Sequence, residues 1–239
     1  MIAIDHVTVQ FGGVRPLDDL TLQLDGSIIG IVGPNGAGKT TLLNVMSGFV
    51  VASHGSITVD GTDILGMPPY RRARWGIRRT FQTEQVVNEL TVRDNVAVML
   101  DTARLSADER SASIDRALDI TGLAHHAGRS AYGLNAFERR LVELARAVVG
   151  TPKVIMMDEP AAGLSNHETA ELRATIARLP GATSAMVVLI DHDVELIAAI
   201  CENTAVLDFG ELIAYGPTPA SLGDPKVRAA YLGVALDSA

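Results

Sequence analysis

The spacing of hydrophobic residues changes along the chain. The first 25 residues alternate apolar and polar positions, as in AIDHVTV and LTLQL, which predicts strands with one face in solvent. Later segments form short continuous apolar runs, SIIGIV, VIMM and AMVVLI, which indicate parallel strands covered on both faces. Helical patterns such as KTTLLNVMSG and NHETAELRATIARL lie between these runs. The alternation predicts an α/β fold with a parallel sheet, whose ligands bind beyond the carboxyl ends of its strands.

Residues 85–150 do not follow this alternation. They contain three successive helical patterns, TVRDNVAVMLDTA, SADERSASIDRALDITGL and FERRLVELARAV, with no apolar strand between them. Ser106 and Glu109 have the spacing of a capping box, which predicts the start of the second helix. The predicted parts are therefore a discontinuous α/β core (1–84 and 151–216) with N-terminal antiparallel strands, an inserted helical subdomain (85–150), and a C-terminal tail with one short helix (217–239).

Composition narrows the class of protein. The chain has 239 residues, of which 47% are hydrophobic, so one large α/β domain is expected and wholesale disorder is not. The longest purely apolar runs are about six residues, such as 185–190, and are far shorter than the roughly 20 residues that a bilayer span needs. The alternating start, MIAIDHVTVQF, indicates a strand and not a signal peptide. The single cysteine, Cys201, fits a reducing cytosol, and its apolar neighbours predict a buried thiol.

Charge argues against nucleic acid as a partner. The formal net charge is −8, and an acidic protein repels a polyanion. One segment, YRRARWGIRR, is locally basic and contains Arg71, Arg72, Arg74, Arg78 and Arg79. A solvated face is the ordinary interpretation of such a cluster. Contact with anionic lipid or with an acidic partner is the alternative.

A glycine-rich motif is the strongest chemical signal in the sequence. GPNGAGKT fits G-x-x-x-x-G-K-T, follows an apolar strand and opens a helix. Glycines let successive backbone N–H groups face phosphate oxygens, and the helix start adds a favourable dipole. Lys39 would reach the β and γ phosphates and the Thr40 hydroxyl would ligate Mg²⁺. The predicted nucleotide-binding residues in this segment are Gly33, Asn35, Gly36, Ala37, Gly38, Lys39, Thr40 and Thr41.

Two further motifs follow buried strands. VIMMDEP ends a strand in two carboxylates: Asp158 is placed to hold Mg²⁺, and Glu159 to polarise an attacking water as general base. Taken alone, an acidic pair that merely ends a strand is the alternative, and the phosphate loop weighs against it. In LIDHD, His192 is a candidate for contacting the γ-phosphate or the attacking water, although a single histidine is most often structural.

Together these motifs resemble the ATP-binding subunits of the ABC superfamily over nearly the whole chain. The resemblance implies a P-loop ATPase with ATP and Mg²⁺ as cofactors. It implies catalytic roles for Glu159 and His192, and assigns to Gln82 in RRTFQ the sensing of the γ-phosphate and of Mg²⁺, the metal being held with Thr40 and Asp158. Phe11 matches the aromatic residue that stacks on adenine, with a core phenylalanine as an equal alternative.

Finer features resemble one branch of that family. RTFQ, DEPAAGLS, DHDVEL and AAYLGV are similar to the ATPases of branched-chain amino-acid importers and their urea and amide relatives. This implies import of a small polar solute by a chain on the inner face of the cell membrane. The implied partners are transmembrane permease subunits, a second ATPase subunit and, indirectly, a solute-binding protein. The alternatives are a lipopolysaccharide-export ATPase, a soluble non-transport ABC ATPase, and a regulatory module without turnover.

One motif departs from the family. Relatives carry a signature, commonly L-S-G-G-Q, which binds ATP held on the phosphate loop of the other subunit in a head-to-tail dimer. Counting back from Arg139 places it on 133–137, where no residue matches, Leu134 replaces the serine, and little polar chemistry is expected. Either the loop is a tolerated variant, or it is a poor lid that favours a heterodimer over a homodimer. Ser165, where many relatives carry Asp, is a second and milder departure.

Overall fold

A computed structural model of the chain describes residues 1–81 and 84–227 and divides them into two compact units. The first unit consists of Met1–Ala73 together with the segment from Val188 onward, and the second is Arg74–Val187. Gln82 and the last part of the predicted C-terminal tail, 228–239, lie outside the described residues. Each unit is described by itself.

The strands are β1 (Ile2–Phe11), β2 (Val14–Leu24), β3 (Ile28–Val32), β4 (His54–Val59), β5 (Thr62–Asp63), β6 (Ile77–Arg79), β7 (Val154–Asp158), β8 (Met186–Ile190), β9 (Asn203–Asp208) and β10 (Glu211–Pro217). The helices are α1 (Lys39–Ser47), α2 (Pro69–Trp75), α3 (Val92–Ala97), α4 (Ala107–Ile120), α5 (Ala136–Val148), α6 (Asn166–Thr183), α7 (Val194–Ile200) and α8 (Thr218–Gly223).

In the first unit, the alternating N-terminal pattern forms an antiparallel sheet, as predicted. β1 pairs with β2 and with β4, and the strand order is β2-β1-β4-β5. Ile2, Ile4, Val7 and Val9 of β1 are buried while intervening residues are exposed or half-buried. One face of this sheet therefore packs into the core, because successive side chains of a strand point to opposite faces.

The first unit also contains a parallel pair of strands. All five residues of β3 are buried, and β3 runs parallel to β9, with Ile29 opposite Asn203 and Val32 opposite Val206. β10 pairs with β9 in the antiparallel sense, so the sheet is mixed. β8 begins at the last residues of the second unit and continues into the first. The continuous apolar runs therefore form buried strands, as predicted.

In the second unit, β6 and β7 are parallel, with Ile77 opposite Val154, and all five residues of β7 are buried. Helix α3 contacts both α4 and α5, and these helices occupy the three predicted helical patterns. The predicted capping box is confirmed: the Ser106 hydroxyl accepts from Glu109 N, and the Glu109 carboxylate accepts from Ser106 N at 2.8 Å. The division into core, helical subdomain and tail stays a prediction.

The arginine cluster differs from its expected structure. Arg71 and Arg74 are exposed, but Arg72 and Arg78 are buried, and only 7% of the Arg79 side chain is exposed. The interpretation of the segment as a solvated face is therefore wrong for these three residues. Local charge density does not reveal burial, because burial is decided by packing between distant parts of the chain, as in the ion pair of Arg79 with Asp158.

The prediction for Cys201 is confirmed. The thiol is buried, and burial together with the charge of Asp191 raises its pKa to about 12. Among the helices within 1–81 and 84–227, none is both long and apolar enough to cross a membrane.

Candidate nucleotide-binding site

The phosphate loop connects β3 to α1 in the first unit, and two of its glycines leave no room for a Cβ. Gly33 has φ +152°, and a Cβ there would lie 2.1 Å from the carbonyl oxygen of Leu207. Gly38 has φ +98°, and a Cβ there would lie 2.2 Å from the carbonyl oxygen of Pro16. The neighbouring backbone holds the loop further, since Gly210 N donates to Ala37 O at 3.2 Å. The loop therefore requires glycine for both its conformation and its close packing.

The lysine of the motif is already drawn into the loop. Lys39 is buried, and its Nζ donates to the carbonyl oxygens of Gly33 at 2.6 Å and Pro34 at 2.9 Å. Lys39 is also the first residue of α1, whose N-cap is the left-handed Gly38. A cationic group and the positive end of a helix dipole thus converge on one loop, as an anion site requires.

The other predicted residues of the segment lie at its surface or inside it. Asn35, Gly36 and Thr40 are exposed, Thr41 is half-buried and Ala37 is buried. Phe11 ends β1 in the same unit, and 53% of its surface is exposed. The core alternative for Phe11 is therefore wrong, and the ring is accessible to a ligand.

The opposite end of α1 is fixed by a residue that the sequence analysis did not single out. The Arg72 guanidinium donates to the carbonyl oxygens of Val45 and Met46 in the last turn of the helix, and to those of Leu65 and Met67. Burial lowers the pKa of Arg72, and the charge of Asp63 opposes that shift. The guanidinium thus adds a donor to Val45 O, which also accepts from Gly48 N at 3.1 Å, and supplies one to Met46 O at the helix end, where carbonyl groups lack intrahelical donors. No local sequence signal identifies this role.

The two carboxylates at the end of β7 have different environments. Asp158 is buried, and its Oδ2 accepts from Arg79 Nη2 at 3.0 Å. Burial lowers the pKa of Arg79, and the Asp158 charge opposes this. Glu159 is half-buried with φ +50°, in the left-handed region that non-glycine residues rarely occupy. Strained backbone of this kind collects at functional sites.

His192 lies two residues after the end of β8, in the first unit, and is exposed. Its two neighbours fix the turn: Asp191 Oδ1 accepts from Asp193 N at 3.0 Å, and Asp193 Oδ1 accepts from Glu195 N and Leu196 N at the start of α7. The phosphate loop, Phe11 and His192 thus belong to the first unit, and Asp158 and Glu159 to the second. Gln82 is outside the described residues.

The start of α5 has more polar chemistry than expected. Asn135 is the N-cap residue: its Oδ1 accepts from Glu138 N at 2.8 Å, and Glu138 Oε2 accepts from Asn135 N at 2.9 Å. Arg129 Nη1 donates to the other carboxylate oxygen at 2.8 Å, and His126 lies 3.7 Å from it. The expectation of little polar chemistry is therefore wrong. The signal was present as N-x-x-E, the spacing already used at Ser106.

This geometry also changes the alignment of the signature. A serine and an asparagine are both strong N-cap residues, and here the N-cap is Asn135, not Leu134. Moving the signature one residue later, to 134–138, places the buried Leu134 on its leucine, Asn135 on its serine and Glu138 on its glutamine. We therefore prefer this alignment to the one with 133–137, and in it Ala136 and Phe137 replace the two glycines and a carboxylate replaces the amide.

A glycine-rich loop between a buried parallel strand and a helix, with a lysine inside it, defines the chain as a P-loop NTPase. A profile of the family described as "ABC transporter" matches residues 17–162. The chain belongs to this family and is an ATP-binding, ATP-hydrolysing subunit of an ABC transporter.

Individual relatives extend this result over nearly the full chain. The chain is 36% identical to the high-affinity branched-chain amino acid transport ATP-binding protein LivG of Salmonella typhimurium, over 98% of each. It is 35% identical to the lipopolysaccharide export system ATP-binding protein LptB of Escherichia coli, over 93% of each. A crystal structure of the ADP conformation of MJ1267, an ATP-binding cassette of an ABC transporter, matches with a TM-score of 0.86 at 28% identity, over 98% of this chain and 99% of that one.

Proposed function

We propose that this chain powers the import of a branched-chain amino acid or of a related amino acid or urea. The observation that carries the proposal is the likeness to LivG over 98% of both chains. The likeness to LptB is nearly as high but covers 93% of each chain. The AAYLGV segment near the C-terminus and the RTFQ segment resemble the importer branch, and they support the same choice.

The nucleotide is ATP with Mg²⁺. The residues that would hold the ion are Thr40, Asp158 and Gln82, and hydroxyl, carboxylate and amide oxygens are the hard ligands that Mg²⁺ prefers. When bound, Mg²⁺ neutralises charge that develops on the transferred phosphoryl group. Glu159 orients and deprotonates the attacking water, and its left-handed backbone supports a role that local stability alone does not explain. His192 contacts the γ-phosphate from an exposed turn.

The partners are transmembrane permease subunits and, through them, a solute-binding protein. The chain would sit on the inner face of the cell membrane by contact with the permease. Gln82 and the helical subdomain, 85–150, would form the surface that receives the permease. Closure of two ATPase subunits around ATP, followed by hydrolysis, would drive the change of access in the membrane.

The second ATPase subunit is a different chain. In a head-to-tail dimer the α5 start would face ATP on the other subunit's phosphate loop. Here the N–H groups of Asn135 and Glu138 donate to side-chain oxygens of the same capping box, and one of those oxygens belongs to a carboxylate. A carboxylate at this point repels a triphosphate. A homodimer would contain two such sites, whereas a partner with an intact signature would leave one good site, formed with Lys39, Glu159 and His192.

Turnover measurements test the pairing. ATP hydrolysis is measured for the purified chain alone, and then in a mixture with the ATPase subunit encoded beside it. The heterodimer predicts activity only in the mixture, and loss of that activity with Glu159→Gln in this chain. Glu168→Gln, in the capping box at the start of α6, is a matched control outside the proposed catalytic machinery. Brisk ATP hydrolysis by the purified chain alone would refute the heterodimer.

Transport measurements test the substrate. Uptake of radiolabelled leucine, isoleucine, valine and urea is compared between a deletion strain and the same strain complemented with the wild-type chain or with Glu159→Gln. If the wild-type chain restores uptake of a solute and Glu159→Gln does not, the result supports import of that solute. If deletion leaves uptake of these solutes unchanged and instead causes a defect in lipopolysaccharide export, the proposed function changes from import to export.

A further inference from the structure

The end of strand β6 brings an arginine to the carboxylate that is proposed to hold Mg²⁺. β6 and β7 run parallel within the second unit, and Arg79 lies opposite Met156. The pairing extends one residue beyond β6, since Thr80 N donates to Met156 O at 2.9 Å. Asp158 follows Met156 by two residues and therefore points to the same face of the sheet, because side chains alternate along a strand. The two strand ends thus place Arg79 beside Asp158.

The two side chains form an ion pair that is almost completely buried. Arg79 Nη2 donates to Asp158 Oδ2 at 3.0 Å, and the exposed fractions of the two side chains are 7% and 2%. A buried ion pair is often no more stabilising than well-packed apolar residues of similar volume, because both charges lose their hydration. Removal of one partner is costly, because the other charge then stays buried. Stability of the fold is therefore a weak explanation for this pair.

The guanidinium also has a second, uncharged contact. Its central carbon lies 5.2 Å from the centroid of the Phe81 ring, within the range of a cation–π interaction. Phe81 directly precedes Gln82 in the chain. Arg79 is therefore shared between the carboxylate of Asp158 and the segment that leads to Gln82.

Mg²⁺ and Arg79 require the same carboxylate. Asp158 is the proposed protein carboxylate for the Mg²⁺ that accompanies ATP, and carboxylate oxygens are hard ligands that this ion prefers. The guanidinium neutralises the charge that attracts the ion, and two positive charges a few ångströms apart in a buried site repel each other. By linkage, pairing of Asp158 with Arg79 lowers the affinity for Mg²⁺, and binding of Mg²⁺ weakens the ion pair by the same factor.

We propose that Arg79 is a positioning residue of the ATPase site: its guanidinium holds the Asp158 carboxylate while no metal is bound, and it competes with Mg²⁺ for that carboxylate. The inference rests on the proposed role of Asp158 as a Mg²⁺ ligand. Arg79 compensates the buried charge of Asp158 in the nucleotide-free chain. It releases the carboxylate when Mg²⁺ enters with the nucleotide, and the Phe81 ring then keeps the guanidinium next to Gln82.

Nucleotide binding with and without the metal measures the competition. Calorimetry gives the Kd for ADP, which is not hydrolysed, in excess EDTA and in excess Mg²⁺, and the ratio of the two values is the gain in affinity that Mg²⁺ supplies. Arg79→Met should increase this gain about tenfold or more, because the competing charge is absent. Arg79→Lys keeps the charge and should stay within about threefold of the wild-type gain. Arg93→Met removes an arginine from a more exposed ion pair with Asp115 in the same unit and should leave the gain unchanged.

Metal binding itself separates this inference from the function on which it rests. Mn²⁺ replaces Mg²⁺, and electron paramagnetic resonance measures free Mn²⁺ at saturating ADP for the wild type, Arg79→Met and Asp158→Asn. If Asp158→Asn leaves the Mn²⁺ affinity unchanged, Asp158 is not a ligand, and the metal assignment fails together with the inference. If Asp158→Asn weakens Mn²⁺ binding but Arg79→Met does not strengthen it, the metal assignment stands and the competition is wrong.

Thermal unfolding distinguishes the competition from a purely structural ion pair. Arg79→Met leaves Asp158 buried without the Arg79 charge, so Tm of the metal-free chain should fall, and ADP with Mg²⁺ should raise Tm by more in this variant than in the wild type. Circular dichroism confirms that the variant is folded. Arg79→Gln, which keeps a donor but not the charge, gives the same comparison if Arg79→Met does not fold. A lower Tm with an unchanged or smaller gain from Mg²⁺ would overturn the proposal.

Discussion

The N-termini of helices α1 and α5 are both suited to anions, yet their N-caps differ in opposite ways. At α1 the N-cap is Gly38, which has no side chain, and the first turn is Lys-Thr-Thr. At α5 the N-cap is Asn135, and Glu138 brings a carboxylate back over the first turn. The first arrangement leaves the helix dipole for a ligand, whereas the second neutralises it internally.

The difference shows how stability and binding compete for the same backbone groups. A capping box gives orphan amide donors an oxygen within the chain and stabilises the helix by about 1 kcal/mol. The same oxygen occupies the position that a phosphate would take. Helices α4, α5 and α6 begin with capping boxes, whereas the N-cap of α1 is a glycine in the left-handed conformation. Among these four helices, the helix of the phosphate loop is therefore the one whose start is suited to an external anion.

The largest expected effect is on ATP affinity and comes from a substitution at the N-cap of α1. Gly38→Ala introduces a Cβ 2.2 Å from a carbonyl oxygen at φ +98°, so we expect ATP affinity to fall by about 100-fold or more. Gly36→Ala is the control, because φ is +84° but no atom lies within 4 Å. It adds strain of about 1 kcal/mol, or about fivefold in affinity. Calorimetric titration with ATP measures both, and equal losses would refute the steric argument.

A smaller effect, on ATP turnover, should follow from removing the negative charge at the start of α5. Glu138→Gln keeps an oxygen for Asn135 N but removes the negative charge, so ATP turnover in the mixture with the second ATPase subunit should rise about two- to fivefold. Glu109→Gln alters the equivalent residue of the α4 capping box and should leave turnover unchanged. Turnover for Glu138→Gln that equals or falls below that of Glu109→Gln would contradict the idea that the carboxylate repels ATP.

The smallest effect is on stability as a function of pH. Burial raises the pKa of Glu138, but the hydrogen bond from Asn135 N–H and the charges of Arg129 and His126 outweigh it, so the pKa lies below its ordinary value. A lowered pKa stabilises the fold above the unfolded-state pKa of about 4.3, and this contribution is lost as pH falls through the folded pKa. At pH 7, the free energy of unfolding of the wild type should exceed that of Glu138→Gln by about 1 kcal/mol or less.

Urea unfolding at pH 7 and at pH 3 measures that difference. The gap between wild type and Glu138→Gln should shrink at the lower pH, because protonation of Glu138 progressively removes the charge that distinguishes it from glutamine. A gap that stays constant between the two pH values would show that the carboxylate contributes through packing and not through charge.

Much of the site was predictable from local pattern. The phosphate loop, the acidic pair at 158–159 and His192 each follow a short apolar run, and a buried strand must expose its end at one edge of a sheet. The capping box at Asn135 was also readable, as N-x-x-E before an apolar run, and was missed because the signature was counted from Arg139. The burial of Arg78 was not readable, since β6 is only three residues long and its charged sequence resembles a surface.

The sequence by itself determined the alternation of strands and helices, the phosphate loop, and membership of the ABC transporter family, because periodicity and spacing act over a few residues. Only the tertiary structure decided which arginines are buried, that Phe11 is exposed, and that Arg72 donates to carbonyl groups in the last turn of the phosphate-loop helix. Those outcomes depend on partners far apart in the chain, such as Arg79 and Asp158, which are separated by 79 positions. The free energy of a buried charge is set by the groups that surround it, and the chain must fold before those groups meet.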